Sequence, residues 1–143
     1  MSHASLLVFS ALAMVALTLA VGVRMFLVRV QEMQRRRVHP QAASTSLQVA
    51  ARLESVQAAD NFRNLFEVPV LFYALVATAV AAGHTPLWLS VGAWLFVALR
   101  VAHSVIHCTY NKVMHRFPVF AAGFLLLIAL WAAFALTLPS AAA

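Results

Sequence analysis

Four apolar runs, each long enough to cross a bilayer, restrict this chain more than anything else in it: residues 5–28, 62–82, 87–110 and 117–138. The hydrocarbon core of a membrane is ~30 Å thick, so a spanning helix needs ~20 largely apolar residues. Barrel strands alternate apolar and polar over about ten residues, whereas these runs are apolar on every face. The chain is 64% hydrophobic over 143 residues, with a mean hydropathy of +0.89. A soluble domain of that length buries only part of its surface and could not hide so much apolar area. The expectation is an all-α integral membrane protein, a four-helix up-down bundle forming one membrane domain over 1–143. Its helices fall at about 5–34, 60–82, 87–110 and 117–138, with one sizeable loop over about 35–59.

The net charge of +6 does not point to nucleic acid, because of where the charges sit. Arg29, Arg35, Arg36, Arg37 and Arg52 lie in or beside the first loop, and Lys112 and Arg116 in the third. The N-terminus, the second loop and the C-terminal tail have no Lys or Arg. Both basic loops fall on one side of a four-pass chain, so the positive-inside rule puts them in the cytoplasm and the termini outside. A basic rim beside anionic lipid accounts for the charge. The first run is read as a retained span rather than a cleaved leader: Met1-Ser2-His3 carries no Lys or Arg and the basic cluster follows the run. The single cysteine, Cys108, allows no intramolecular disulfide and reads as a small packing residue.

No breaker stands between Gln31 and Pro40, so the first helix should outrun the membrane to about Gln34. Ser44-Thr45-Ser46 can cap a helix, and Val49, Leu53 and Val56 follow at i, i+4, i+7, so the segment reads as a short loop leading into a helical extension of the second span. The turn at Gly83-His84-Thr85-Pro86 is tight and makes the second and third spans an antiparallel hairpin.

Two spans carry polar residues in helical register. Asp60, Arg63, Asn64 and Glu67 stand at i, i+3, i+4, i+7, and so do Arg100, His103, Ser104 and His107, with Asn111 one turn further. Ionisable groups cost ~2.5–3.5 kcal/mol each at a helix centre on insertion scales, and they persist where they face protein or a watery cavity. Depths counted at 1.5 Å per residue bring Glu67 and Arg100 within reach of each other, with Arg63, Asn64, His103 and His107 shallower. Such stripes serve either as interhelical glue or as a ligand site. Arg before Glu is the weaker order for a helix pair, and so much charge exceeds what glue requires, which favours a site. His103-x-x-x-His107 also has the spacing of a metal or haem ligand pair. It lacks an HExxH or a second His pair on another helix, and Glu67 or His115 would have to supply a third ligand. Neither metal nor haem is expected.

At these stripes the chain resembles the MAPEG family, the membrane-associated proteins of eicosanoid and glutathione metabolism. The residues are Phe62-Arg63-Asn64-Leu65-Phe66-Glu67-Val68-Pro69, similar to the family's R-N-x-x-E followed by proline, and Arg100-Val101-Ala102-His103-Ser104, similar to its R-x-x-H. The resemblance, to bacterial-type members, implies a homotrimer in a bacterial inner membrane with glutathione as co-substrate, bound between protomers near the cytoplasmic face. It implies that Arg63, Asn64 and Glu67 hold the glutathione backbone, Glu67 at its α-amino group. His103 and His107 would line the site, Arg100 would anchor it, Arg29 would contact a carboxylate, and Arg116 would stand beside the thiol as the catalytic group. Three positions depart from the pattern: Asp60 replaces an arginine, His107 a tyrosine, and Pro118 follows Arg116 where a proline usually precedes it.

The leading reading is therefore a glutathione-dependent transferase or peroxidase for lipophilic electrophiles or lipid hydroperoxides. Its partners would be further copies of itself, glutathione, and membrane lipid or a hydrophobic substrate, with no nucleic acid. The alternatives are a non-catalytic scaffold or lipid-binding protein of the same fold, and a small haem electron carrier.

Overall fold

A computed structural model describes residues 2–138 of the chain. Helix α1 (His3–Arg36) starts where the Ser2 hydroxyl accepts the Ser5 N–H at 3.1 Å. It ends at Arg37, whose left-handed backbone (φ 52°) turns the chain. A short 3-10 turn (Pro40–Ala43) leads to α2 (Ser46–Arg52), which opens with a capping box between Thr45 and Gln48. The Ser-Thr-Ser cluster thus caps as its composition suggests. The segment does not extend the second span as a helix: α2 stops at Arg52, and Leu53, in extended backbone, separates it from the next helix while staying buried with Val49.

The second span is two helices, α3 (Gln57–Asn64) and α4 (Val68–Ala81), broken at residues 65–67. Pro69 explains the break. It has no N–H to give the Leu65 carbonyl, and its ring crowds that carbonyl. Phe66 and Glu67 instead donate three residues back, to Arg63 and Asn64. Helix α5 (Leu87–Cys108) follows Gly83, whose φ of +64° makes the turn. Helix α6 (Val113–Thr137) starts four residues earlier than its apolar run suggests, so Arg116 lies on α6 and Pro118 inside it.

Helix α1, the α3–α4 pair, α5 and α6 are each long and apolar enough to cross a membrane, and no strand occurs among the described residues. Their seam is Leu7, Met14 and Val21 of α1, Phe72, Leu75 and Ala79 of α4, Leu89, Ala93 and Phe96 of α5, and Leu127, Leu130 and Phe134 of α6. Two glycines set close approaches. A Cβ on Gly22 would stand 2.9 Å from the Phe62 ring, and one on Gly92 would collide with Leu130. Many large side chains on the outer faces, among them Phe9, Leu19, Phe26, Leu95 and Leu125, are exposed, as suits helices surrounded by lipid.

Candidate functional site

At the end of the bundle nearest residues 37–56, Arg29 of α1 and Asp60 and Arg63 of α3 line one cavity of about 160 Å³. Helix α2 covers it through Ser46, Val49 and Ala50, with Val56 and Ala59 completing the wall. Arg63 reaches Asp60 only at 4.0 Å, and both side chains are more than half exposed, so the guanidinium stays available.

The covering segment is fastened by Glu32, a residue the sequence pattern did not single out. Its carboxylate is 4% exposed and accepts the backbone N–H groups of Glu54 (2.8 Å) and Ser55 (3.0 Å). Arg36 bridges Glu32 at 2.9 Å and Glu54 at 2.7 Å. A lone acid inside a basic stretch, one turn before Arg36, was the available signal.

Between α5 and α6 lies a second polar group, of opposite character. Arg100, His103 and His107 are 1–3% exposed. The Arg100 guanidinium sits between the rings of Phe96 (5.2 Å) and Phe120 (5.1 Å). His103 meets His107 edge-to-face at 5.5 Å and Phe120 at 5.6 Å. None of the three Arg100 nitrogens, neither ring nitrogen of His103, nor Nδ1 of His107 has a hydrogen-bond partner among the described residues. The two aromatic faces offset part of the cation's desolvation, ~2 kcal/mol each when water is excluded, while its donors remain unused. Arg116 donates to the Asn111 side-chain oxygen at 2.6 Å and lies within Coulombic range of both imidazoles.

The expected meeting of Glu67 with Arg100 does not occur within the chain. Glu67 is exposed at the break before α4, and Asn64 beside it is half-buried. The residue that α3 turns toward α5 is Asn61, one position from Asp60 and about 100° round the helix. Asn61 is fully buried, accepts from the Ser104 hydroxyl at 3.4 Å and donates to the Cys108 sulfur at 3.4 Å. The stripe from Asp60 to Glu67 faces outward instead, and the break at Pro69 ends its common face. Glu67 and His115 do not join the two histidines: no three His, Cys, Asp or Glu among the described residues could hold a metal together.

The chain is thus a four-span helical membrane bundle with a guanidinium-lined cavity at one end and a buried Arg-His-His group in the wall. The MAPEG family model matches residues 6–136. The chain belongs to the MAPEG family, and is an integral, multi-pass membrane protein related in general terms to glutathione and eicosanoid metabolism. No curated protein and no solved structure matches the chain.

Proposed function

We propose that the protein binds glutathione at the end of the bundle bearing residues 37–56 and uses its thiol against a lipophilic electrophile or a lipid hydroperoxide. The observation that carries this reading is the convergence of Arg29 and Arg63, from different helices, on one cavity in a chain of this family. A guanidinium presents a planar fork of donors that fits a carboxylate with two parallel hydrogen bonds, and glutathione offers two carboxylates. Asn64 and Glu67 would hold its backbone and α-amino group, while Arg100, His103 and His107, buried between α5 and α6, would support the site from within the bundle rather than by contact.

The cavity is small beside ligand pockets of ~300–1,000 Å³, enough for one end of a tripeptide. Glu67 and Arg63 look outward. A neighbouring protomer would complete the site. The number three and the cytoplasmic placement of this end rest on the family and the charge bias.

A free thiol with pKa near 8.5 is only ~3% ionised at pH 7. A guanidinium beside it favours the thiolate, and Arg116, held by the neutral Asn111 side chain, keeps its charge for that role. Calorimetry tests the binding. Arg29→Ala and Arg63→Ala should each weaken glutathione roughly ten- to a hundredfold, since a charge-assisted hydrogen bond is worth ~1.5–3 kcal/mol. Wild-type protein that shows no heat up to millimolar glutathione would overturn the reading in favour of a scaffold.

A further inference from the structure

A groove of about 250 Å³ runs between α1 and α5, away from the residues assigned above to glutathione. Leu17, Ala20 and Val21 of α1 face Val105 and Cys108 of α5 across it, and Arg24 lies at its edge. Arg24 is exposed and stands inside the apolar run that ends at Val28, about 6 Å short of it at 1.5 Å per residue. That depth is where lipid headgroups meet acyl chains.

The local partner of Arg24 leaves most of its capacity unused. One Nη2 donates to the Cys108 carbonyl at 2.5 Å, at the C-terminal end of α5. A helix terminus offers roughly half a negative charge against a full positive one, and a guanidinium has five donors. Among the described residues none of the four Asp and Glu side chains pairs with it: Glu32 and Glu54 hold Arg36, Asp60 lies beside Arg63, and Glu67 makes no ion pair there. At this depth the nearest abundant counter-charges are the phosphates of anionic lipid headgroups, so the remaining charge suits an anion delivered from the bilayer. The floor beneath is already satisfied, because the Ser104 hydroxyl and the Cys108 sulfur are engaged by Asn61. What the groove lacks is one anion above an apolar trough.

We propose that this groove binds one anionic phospholipid, its phosphodiester on Arg24 and an acyl chain along Leu17, Val21 and Val105. Arg24 selects for the anion and the trough for the chain, independently of the glutathione reading.

Native mass spectrometry of the intact assembly in mild detergent tests it, with phosphatidylglycerol and phosphatidylcholine of matched chains as competing probes. Wild type should retain phosphatidylglycerol in preference, and Arg24→Gln should reduce that preference about tenfold. Ala20→Trp fills the trough from an exposed position and should lower retention of both lipids while leaving Arg24 in place. Glutathione binding should stay unchanged in both variants. Undiminished preference in Arg24→Gln overturns the proposal. So does displacement of the lipid by inorganic phosphate at equal concentration, which would mark a plain anion site. If Ala20→Trp instead splits the assembly and spares lipid retention, the groove is a contact between copies and the proposal fails.

Discussion

The two polar stripes have the same spacing and opposite fates. Along α5, Arg100, His103, Ser104 and His107 all turn inward, to 1–3% exposure. Asp60 and Arg63 of α3 and Glu67 in the break after it turn outward, and Asn61 is the polar residue of α3 that faces the core. The first stripe lies on an unbroken helix wedged between α1 and α6. The second lies on a short helix at the bundle's end, stopped by Pro69. Periodicity states which residues share a face; what covers the face is decided by neighbours and by breaks. The contrast also separates two kinds of cation. Arg63 is accessible and can exchange partners, whereas Arg100 is sealed between two phenylalanine rings.

Replacing Arg100 should give the largest change in stability. A buried ion without a partner costs several kcal/mol, more than two cation–π contacts of ~2 kcal/mol are expected to return once the side chain's own ordering is counted. Arg100→Met keeps a long side chain between Phe96 and Phe120 and removes the charge. The ligand-free protein should be more stable, by on the order of 1–4 kcal/mol, and should melt higher. A lower melting temperature would mean that a neighbouring protomer supplies a partner for Arg100, and the contrast with Arg63 would collapse.

Asn61 and Arg63 sharpen the same contrast within one helix. Asn61→Ala opens a gap and leaves the buried Ser104 hydroxyl without its acceptor, at a cost of about 1–3 kcal/mol. Surface substitutions of the Arg63→Ala kind usually stay within about 0.5 kcal/mol. Denaturation followed by circular dichroism should therefore rank the two positions in the reverse order to glutathione calorimetry. Equal effects on stability would show that α3 is rotated from the position described.

Much of this was legible in the sequence, for identifiable reasons. The four spans follow from the length of apolar runs, which the bilayer fixes. The capping of α2 follows from the Ser44-Thr45-Ser46 cluster, a local pattern, though the part played by Gln48 does not. Arg29 and Arg63 could be named, but their shared cavity depends on α2 folding back across α1, which no local pattern encodes. The role of Glu32 is not legible in the sequence, because its partners are backbone amides of residues 54 and 55, donors that every residue has. The supposed Glu67–Arg100 pair failed on a count of depth that took the second span as one straight helix. Pro69 breaks that helix and shifts the helical phase of Glu67.

Pro69 therefore offers the finest test, because its effects on stability oppose each other. In Pro69→Ala the backbone regains an N–H that can reach the Leu65 carbonyl, and the steric reason for the break disappears. Against this, the proline narrows the unfolded ensemble, a contribution of about 0.4–1 kcal/mol that the variant gives up. The two effects oppose each other, so the net shift in stability should stay below about 1 kcal/mol. The change should appear in local dynamics instead. Hydrogen exchange at Phe66 and Glu67, which now donate three residues back, should slow as α3 and α4 join into one regular helix. Continuity would rotate Glu67 relative to Arg63, so glutathione affinity should fall even though no proposed contact residue was changed. If exchange slows and affinity holds, Glu67 takes no part in binding and the outward stripe ends at Asn64. If exchange does not slow, the break belongs to the packing of α3 against α1 at Gly22 and Phe62 rather than to the proline.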